Sequence, residues 1–347
     1  MSKLLKFAKK LEPKKGTFAH TLYDGFFTFL FTPNEVTHGG THIKDGMDLK
    51  RTMMFVVYAL IPAYLFGIYN IGYQHFLALG EYPGFLDGFH LKFFFGLGKL
   101  LPIWIVTHVV GLGIEFIFAY KKGHGIEEGF LVSGALIPLI MPPDLPIWIL
   151  VLAVAFAVVL GKEAFGGTGM NIWNVALLAR VFVFFAYPTT ISGDEVWVSG
   201  IASTQAGAAA EYGLWHHACD WLFGLFGADT FNSAATVVDG YTGATPLTLA
   251  YQGGWEAVTK VYSANEMWWG AIPGSIGETC KPIIIIGALF LIATGIASWR
   301  IMVSMVFGAA IMSMLLNAWG ATPFMNVPWH YQFYMGSFFF AMAFMAT

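Results

Sequence analysis

Apolar stretches near 52–71, 95–120, 129–142, 146–163, 172–188, 281–299, 301–319 and 331–347 dominate the chain. A helix needs about 20 apolar residues to cross a bilayer, because lipid offers no partner to an unbonded backbone group. Most of these stretches approach that length, so the chain reads as an all-α, multi-spanning membrane bundle with eight visible spans. Composition agrees: 57 % of the 347 residues are apolar and 11 % are charged, against about 25 % charged in ordinary soluble domains. The 17 % aromatic content excludes a disordered chain, and 40 glycines suit close helix approach. A formal net charge of −3 gives no support for a nucleic-acid partner. Cys219 and Cys280 are too few for a disulfide framework or a four-thiolate metal site.

Lysine and arginine set the orientation. Residues 1–51 hold nine of the 18, Lys121 and Lys122 follow the second stretch, and 189–270 holds only Lys260 against eight acids. The N-terminus is therefore expected in the cytoplasm and 189–280 outside. No cleavable signal peptide is visible; Met1 to Lys15 reads either as an amphipathic helix on an anionic membrane face or as a solvated basic tail. Four regions follow: a cytoplasmic basic segment 1–51, a first membrane half 52–188 with about five spans, an extracytoplasmic loop 189–280, and a second half 281–347. If the halves are pseudo-repeats, two spans are missing from the second, and the apolar run from Phe338 to Thr347 reads as cut short. The third stretch stops at Pro142-Pro143-Asp144-Leu145-Pro146, and broken spans of this kind carry binding sites in transporters.

The long loop contains Asp239-Gly240-Tyr241-Thr242-Gly243-Ala244-Thr245-Pro246-Leu247. Gly243 permits a tight turn, Ala244 leaves the neighbouring hydroxyl uncrowded, and Pro246 holds Thr245 where a modifying enzyme can reach it. Asp239 can help bind a metal during modification. On spacing alone a plain polar turn is the favoured reading, since Thr and Gly are ordinary turn residues.

Asp-x-x-Thr-Gly-Ala-Thr is similar to a flavinylation motif, and the surrounding chain resembles the B-subunit family of Na⁺-translocating NADH:quinone reductases. The resemblance runs through Asp48-Leu49-Lys50-Arg51, Lys162-Glu163-Ala164-Phe165-Gly166-Gly167-Thr168-Gly169, Ala186-Tyr187-Pro188 and Ile191-Ser192-Gly193-Asp194. It continues in Ile272-Pro273-Gly274-Ser275-Ile276-Gly277-Glu278 and Gly295-Ile296-Ala297-Ser298-Trp299-Arg300, and Phe344-Met345-Ala346-Thr347 resembles a family stretch that continues with Asp-Pro. It implies a ten-span subunit of a six-subunit complex in a bacterial inner membrane. FMN is then joined to Thr245 by a transferase through a phosphoester, on the periplasmic side. Electrons arrive from the subunit carrying the other covalent FMN and pass through riboflavin to ubiquinone, coupled to Na⁺ export. The homologous Rnf-type ferredoxin:NAD⁺ oxidoreductase subunit shares the motif; the N-terminal extension favours the quinone-reducing complex. A solute channel or transporter is the reading from another class, and it gives Thr245 no role.

Ionisable groups within spans are costly and so are functional candidates. The resemblance assigns Gly111 and Glu115 to the quinone site, with Leu112 where the family has a second glycine, and implicates Glu115 in Na⁺ uptake. A glutamate reaching toward the interface is the structural alternative. Asn171 and Asn174, three apart at the start of the fifth stretch, are expected on one helix face. The resemblance places them with Ser133 around riboflavin, with Val175 in place of a family proline; capping and interhelical bonding are the alternative. Lys162 and Glu163 read as a structural ion pair before a glycine-rich turn that lacks a P-loop ending. Arg180 requires a carboxylate or carbonyl partner, with a structural pair favoured over a flavin; Asp144 reads as a cap of the helix after it in preference to part of a cation path, and Asp194, Glu278 and Arg300 read as anchors. Adjacent His216 and His217 with Cys219 do not make a metal site, and no metal is expected. Phe93 to Phe95 and Phe338 to Phe340 read as lipid-facing or packing residues, and Trp268 and Trp269 as an interfacial belt.

Overall fold

A computed structural model describes residues 10–14, 16–31, 39–41, 49–123, 129–193, 196–202, 214–227, 236–237 and 243–346. The protein is an all-helical, multi-pass membrane protein. Helix α1 (Phe18–Leu30) precedes two long helices, α2 (Leu49–Ala78) and α3 (Phe89–Lys122), then α4 (Phe130–Ile140), α5 (Ile147–Gly161) and α6 (Val175–Ala186). After them come α7 (Leu214–Gly224), α8 (Pro246–Val261), α9 (Ala264–Trp269), α10 (Lys281–Ala293), α11 (Trp299–Trp319), α12 (Trp329–Met335) and α13 (Phe338–Phe344). The strand content among the described residues is one two-residue parallel pair, Ile201–Ala202 beside Thr236–Val237.

Helices α2 and α3 form the frame. Each rises about 1.5 Å per residue, so both exceed the ~30 Å hydrocarbon layer. Gly88 and Gly123, both in the left-handed region, bound α3, and Lys121 and Lys122 complement its C-terminal dipole. The two helices meet where side chains are missing. A Cβ on Gly96 would lie 1.7 Å from the Ile68 carbonyl oxygen, and one on Gly72 would lie 1.9 Å from that of Lys92. Small residues permit this backbone contact. Helix α1 lies along the C-terminal end of α3, with Phe18 edge-on to Tyr120 at 5.9 Å and Phe26 stacked on Phe116 at 6.2 Å.

The core centres on α4 and on the inner face of α5, whose Trp148, Leu152 and Leu160 stay exposed on the other side. Phe130, Ile137, Leu139, Ile140, Leu150, Ala153 and Val154 are fully buried. Pro142 and Pro143 end α4 inside the protein, and its last carbonyls find distant partners. The Gly277 amide donates to Leu139 at 2.8 Å, Arg180 donates from Nη1 to Ile140 at 2.8 Å, and the Tyr64 hydroxyl donates to Ala135.

The apolar stretches become helices of unequal length. Four helices among the described residues are long and apolar enough to cross a membrane, and Phe130–Ile140, Val175–Ala186 and Lys281–Ala293 are shorter. At 11 to 13 residues these three rise only about 16–20 Å. Each has a local terminator: the Pro142-Pro143 break, the Asn174 cap at the start of α6, and the left-handed Gly295 after α10. The stretch 331–347 divides at Gly336-Ser337 into α12 and α13, seven residues each. Within 189–280, α8 and α9 pack Ala250, Val258 and Met267 with Ile272, Val327 and Met335 into a second core.

Candidate functional site

Thr245 starts α8. Its extended backbone (φ −69°, ψ 155°) and the Pro246 that follows make it the N-cap, and its Oγ1 accepts from the Thr248 amide at 3.2 Å. The Tyr262 hydroxyl donates to the Ala244 carbonyl at 2.9 Å, fixing the turn from the far end of the helix. Ala244 and Gly243 are buried, and Thr245 is half-buried. Asp239, Tyr241 and Thr242 lie outside the described residues.

Thr245 borders a small open cleft of about 110 Å³. Arg180, Glu278 and Lys281 line it with the hydroxyl residues Ser275, Thr279 and Ser337. Arg180 Nη1 also donates to Glu278 Oε2 at 3.1 Å, and Lys281 Nζ donates to the Thr279 carbonyl at 2.8 Å. The cleft thus holds two cations and one carboxylate beside a threonine hydroxyl. That donor set fits a phosphoester, which brings one negative charge and several acceptor oxygens.

At the other end of α4 lie the quinone and riboflavin candidates. Glu115 pairs with Lys162, both side chains 4 % exposed. Glu163 pairs with Lys122 at 3.1 Å. The expected Lys162–Glu163 partnership is therefore replaced by two crossed pairs tying α3 to the end of α5, because adjacent residues in the tight turn point apart. Gly111 faces the Phe130 ring, where a Cβ would lie 1.8 Å from Cζ, so this position serves close packing and opens no space of its own. The Gly166–Gly169 turn differs: Gly166, Gly167 and Gly169 have positive φ, a Cβ on Gly169 would meet nothing within 4 Å, and the close contact is that of Thr168 on Gly129.

Asn171 and Asn174 do not share a helix face as expected, since α6 begins at Val175. The Asn174 Oδ1 caps the helix, accepting from Ala176 at 2.9 Å and Leu177 at 3.2 Å. Asn171 accepts from the Gly169 amide at 3.2 Å and donates to the Trp173 carbonyl at 3.1 Å. Among the described residues the Asn174 amide N–H groups have no acceptor, so they are open to another one. Ser133 lies half-buried in the first turn of α4.

Asp144 does not cap α5, whose N-cap is Pro146. It accepts from Lys99 at 3.0 Å, from the Ser199 hydroxyl at 2.7 Å and from the Gly200 amide at 3.0 Å. His75 Nδ1 bonds the Ser199 carbonyl at 2.8 Å and stacks on Phe95 at 3.9 Å. Buried Lys92 donates to the Tyr82 and Gly84 carbonyls at 2.9 and 2.7 Å. Sequence reasoning passed over Lys92, Lys99 and His75, though a charge or imidazole beside an apolar run was the available signal.

Cys219 and Cys280 are separate buried thiols, and burial, aided by the Asp220 charge, pushes the Cys219 thiol up to about 11. Among the described residues no three His, Cys, Asp or Glu side chains gather as metal ligands. Asp194 lies outside the described residues. Phe95 and Phe340 are packing residues, 2 % and 0 % exposed.

The profile of a family described as NQR2, RnfD, RnfE matches residues 36–347. The chain is 39 % identical over 347 residues to the B subunit of the Na(+)-translocating NADH-quinone reductase from Chromohalobacter salexigens, covering 94 % of this chain and 75 % of that protein. Against the same protein from Stutzerimonas stutzeri it is 38 % identical over 353 residues, with 94 % and 77 % covered. Against that from Azotobacter vinelandii it is 37 % identical over 371 residues, with 98 % and 82 % covered.

Proposed function

The chain belongs to the NQR2, RnfD, RnfE family, and from that membership we propose that it is the B subunit of a sodium-pumping NADH:quinone oxidoreductase in a bacterial inner membrane. It works within a multi-subunit complex, next to the partner that carries the other covalent FMN. FMN esterified to Thr245 and a non-covalent riboflavin near Asn171, Asn174 and Ser133 are its cofactors. Ubiquinone is its electron acceptor, and Na⁺ is the exported ion.

The observation that carries the reading is the Thr245 hydroxyl, held at a helix start beside a cleft with two cations, Arg180 and Lys281. A flavin bound there would supply one- and two-electron redox chemistry. The chain's own residues fix the attachment point, present positive charge to the phosphate, and separate two sites along one helix. Asn174 caps α6 and Arg180 lies six residues further along it, about 9 Å of helix rise. Glu115, held by Lys162, remains the residue proposed to serve quinone reduction and Na⁺ uptake; Gly111 shapes the wall next to it. Asp239 is proposed to assist attachment of FMN.

The family profile spans both the quinone-reducing and the Rnf-type subunits. The named relatives, which align with 94–98 % of this chain including most of its N-terminal segment, favour the former. The test is direct. In the native host, Thr245→Ala abolishes the acid-stable flavin fluorescence of the denatured protein, while Thr248→Ala retains it. A fluorescent band surviving Thr245→Ala refutes the assignment.

A further inference from the structure

The Thr245 cleft carries an arginine whose partners satisfy only part of it. Arg180 sits midway along α6, where a bare charge costs several kcal/mol unless paired. Two acceptors hold it: the Ile140 carbonyl at the end of α4, which bears the partial negative charge of a helix C-terminus, and Glu278. Both bonds leave from Nη1. A guanidinium has five N–H donors in a fixed fork, so among the described residues the Nη2 edge and Nε remain for another acceptor. The side chain is 28 % exposed and borders the cleft. Lys281 differs: it is 1 % exposed, with Nζ turned to the carbonyls of Glu278 and Thr279. It adds positive potential without offering itself for contact. The charges lining the cleft sum to an excess of one cation, set among the hydroxyls of Ser275, Thr279 and Ser337.

We propose that Arg180 is a positioning residue for the anionic group carried on Thr245, and that the opposition of Arg180 and Glu278 sets how readily that group accepts electrons. This rests on the reading of Thr245 as the flavin-bearing residue. The ion pair is arranged for the task. Glu278 and the α4 terminus fix one nitrogen of the fork, so the remaining edge is pre-oriented toward the cleft and needs no reorganisation when negative charge grows there. Reduction of a flavin adds negative charge. A guanidinium nearby stabilises the reduced form, and a carboxylate nearby opposes it. The two residues therefore act with opposite sign on one equilibrium.

The experiment uses the complex purified from its native host with Arg180→Gln, Arg180→Lys and Glu278→Gln. Each is scored for flavin fluorescence on the denatured protein and for the midpoint potential of that flavin by spectroelectrochemical titration. Arg180→Gln is expected to keep the attached flavin and to weaken its reduction at least tenfold, a fall of about 59 mV per electron. Glu278→Gln is expected to shift it the other way, and Arg180→Lys to fall between wild type and Arg180→Gln. A purely structural role moves both neutralising variants in the same direction or neither, and that result overturns the proposal. If Arg180→Gln fails to accumulate, Glu278→Gln still reads the sign: a potential unchanged or lowered there refutes the opposition. A wild-type chain without fluorescence refutes the Thr245 reading instead, before any potential is measured.

Discussion

Replacing Lys162 by Met removes the ammonium that faces Glu115 and leaves a carboxylate in a site where both side chains are 4 % exposed. Methionine is close to lysine in length, so the loss is of charge more than of volume. Removing one partner of a buried ion pair costs about 3–5 kcal/mol, because the other charge is stranded. The neighbouring Lys122–Glu163 pair is the internal control. Its lysine is 35 % exposed while its glutamate is 6 % exposed, so Lys122→Met also leaves a buried carboxylate, but one whose partner site is open to solvent that can take over part of the lost interaction. The expected order is therefore Lys162→Met more destabilising than Lys122→Met. Neutralising both members of the inner pair, as in Lys162→Met with Glu115→Gln, restores most of the loss. The measurement is denaturant unfolding of the detergent-solubilised complex followed by tryptophan fluorescence, arranged as a double-mutant cycle. A coupling above about 2 kcal/mol is expected for the inner pair, at the upper end of the range for residues in contact. The same cycle separates structure from function: the double variant recovers stability but loses Na⁺ stimulation of quinone reduction. If Lys162→Met costs less than about 1 kcal/mol, the burial argument is wrong. If the double variant keeps wild-type kinetics, Glu115 has only a structural role.

Gly96→Ala places a Cβ 1.7 Å from the Ile68 carbonyl oxygen; because backbone must move, it is expected to cost at least the 1–3 kcal/mol of ordinary overpacking, seen as a lower unfolding midpoint. Asn174→Asp keeps the acceptor that caps α6 but removes the amide donor. It is expected to hold stability within a few tenths of a kcal/mol while riboflavin content falls, whereas Asn174→Ala costs about 1 kcal/mol through the cap alone; full riboflavin in the aspartate variant removes Asn174 from the flavin site. Cys219 is expected to resist maleimide at pH 7.5 in the folded protein and to react once denatured. Its thiol titrates near 11 when folded against an ordinary value of 9.0, so between those values the unfolded chain releases a proton that the folded one keeps. Its contribution to stability thus declines as pH rises through that window, and rapid labelling at pH 7.5 contradicts the burial.

Fold class was legible because lipid leaves few options. The apolar stretches 52–71, 95–120, 146–163 and 301–319 all became long helices. Length failed as a guide where termination is local. Pro142-Pro143 was visible as a break, but the Asn174 cap and the left-handed Gly295 cut their apolar runs short through one residue each, which hydropathy averages away. The motif around Thr245 was legible as a pattern. Its cleft was not, because Arg180, Glu278 and Lys281 come from distant points of the chain and only folding joins them. The crossed pairs Glu115–Lys162 and Lys122–Glu163 show the same: adjacency in sequence favoured Lys162 with Glu163, and packing of α3 on α5 chose otherwise.

The end of α4 also bears on how the protein is made. The Leu139 carbonyl waits for the Gly277 amide, and Ile140 relies on an arginine that is itself steadied by Glu278. A ribosome adding about 5–20 residues per second delivers those partners on the order of ten seconds after α4 emerges. Until then two peptide oxygens face hydrocarbon or must borrow water. The end of α4 is therefore completed by residues made well after it, and the middle of the bundle closes only once the segment around residue 277 has been synthesised.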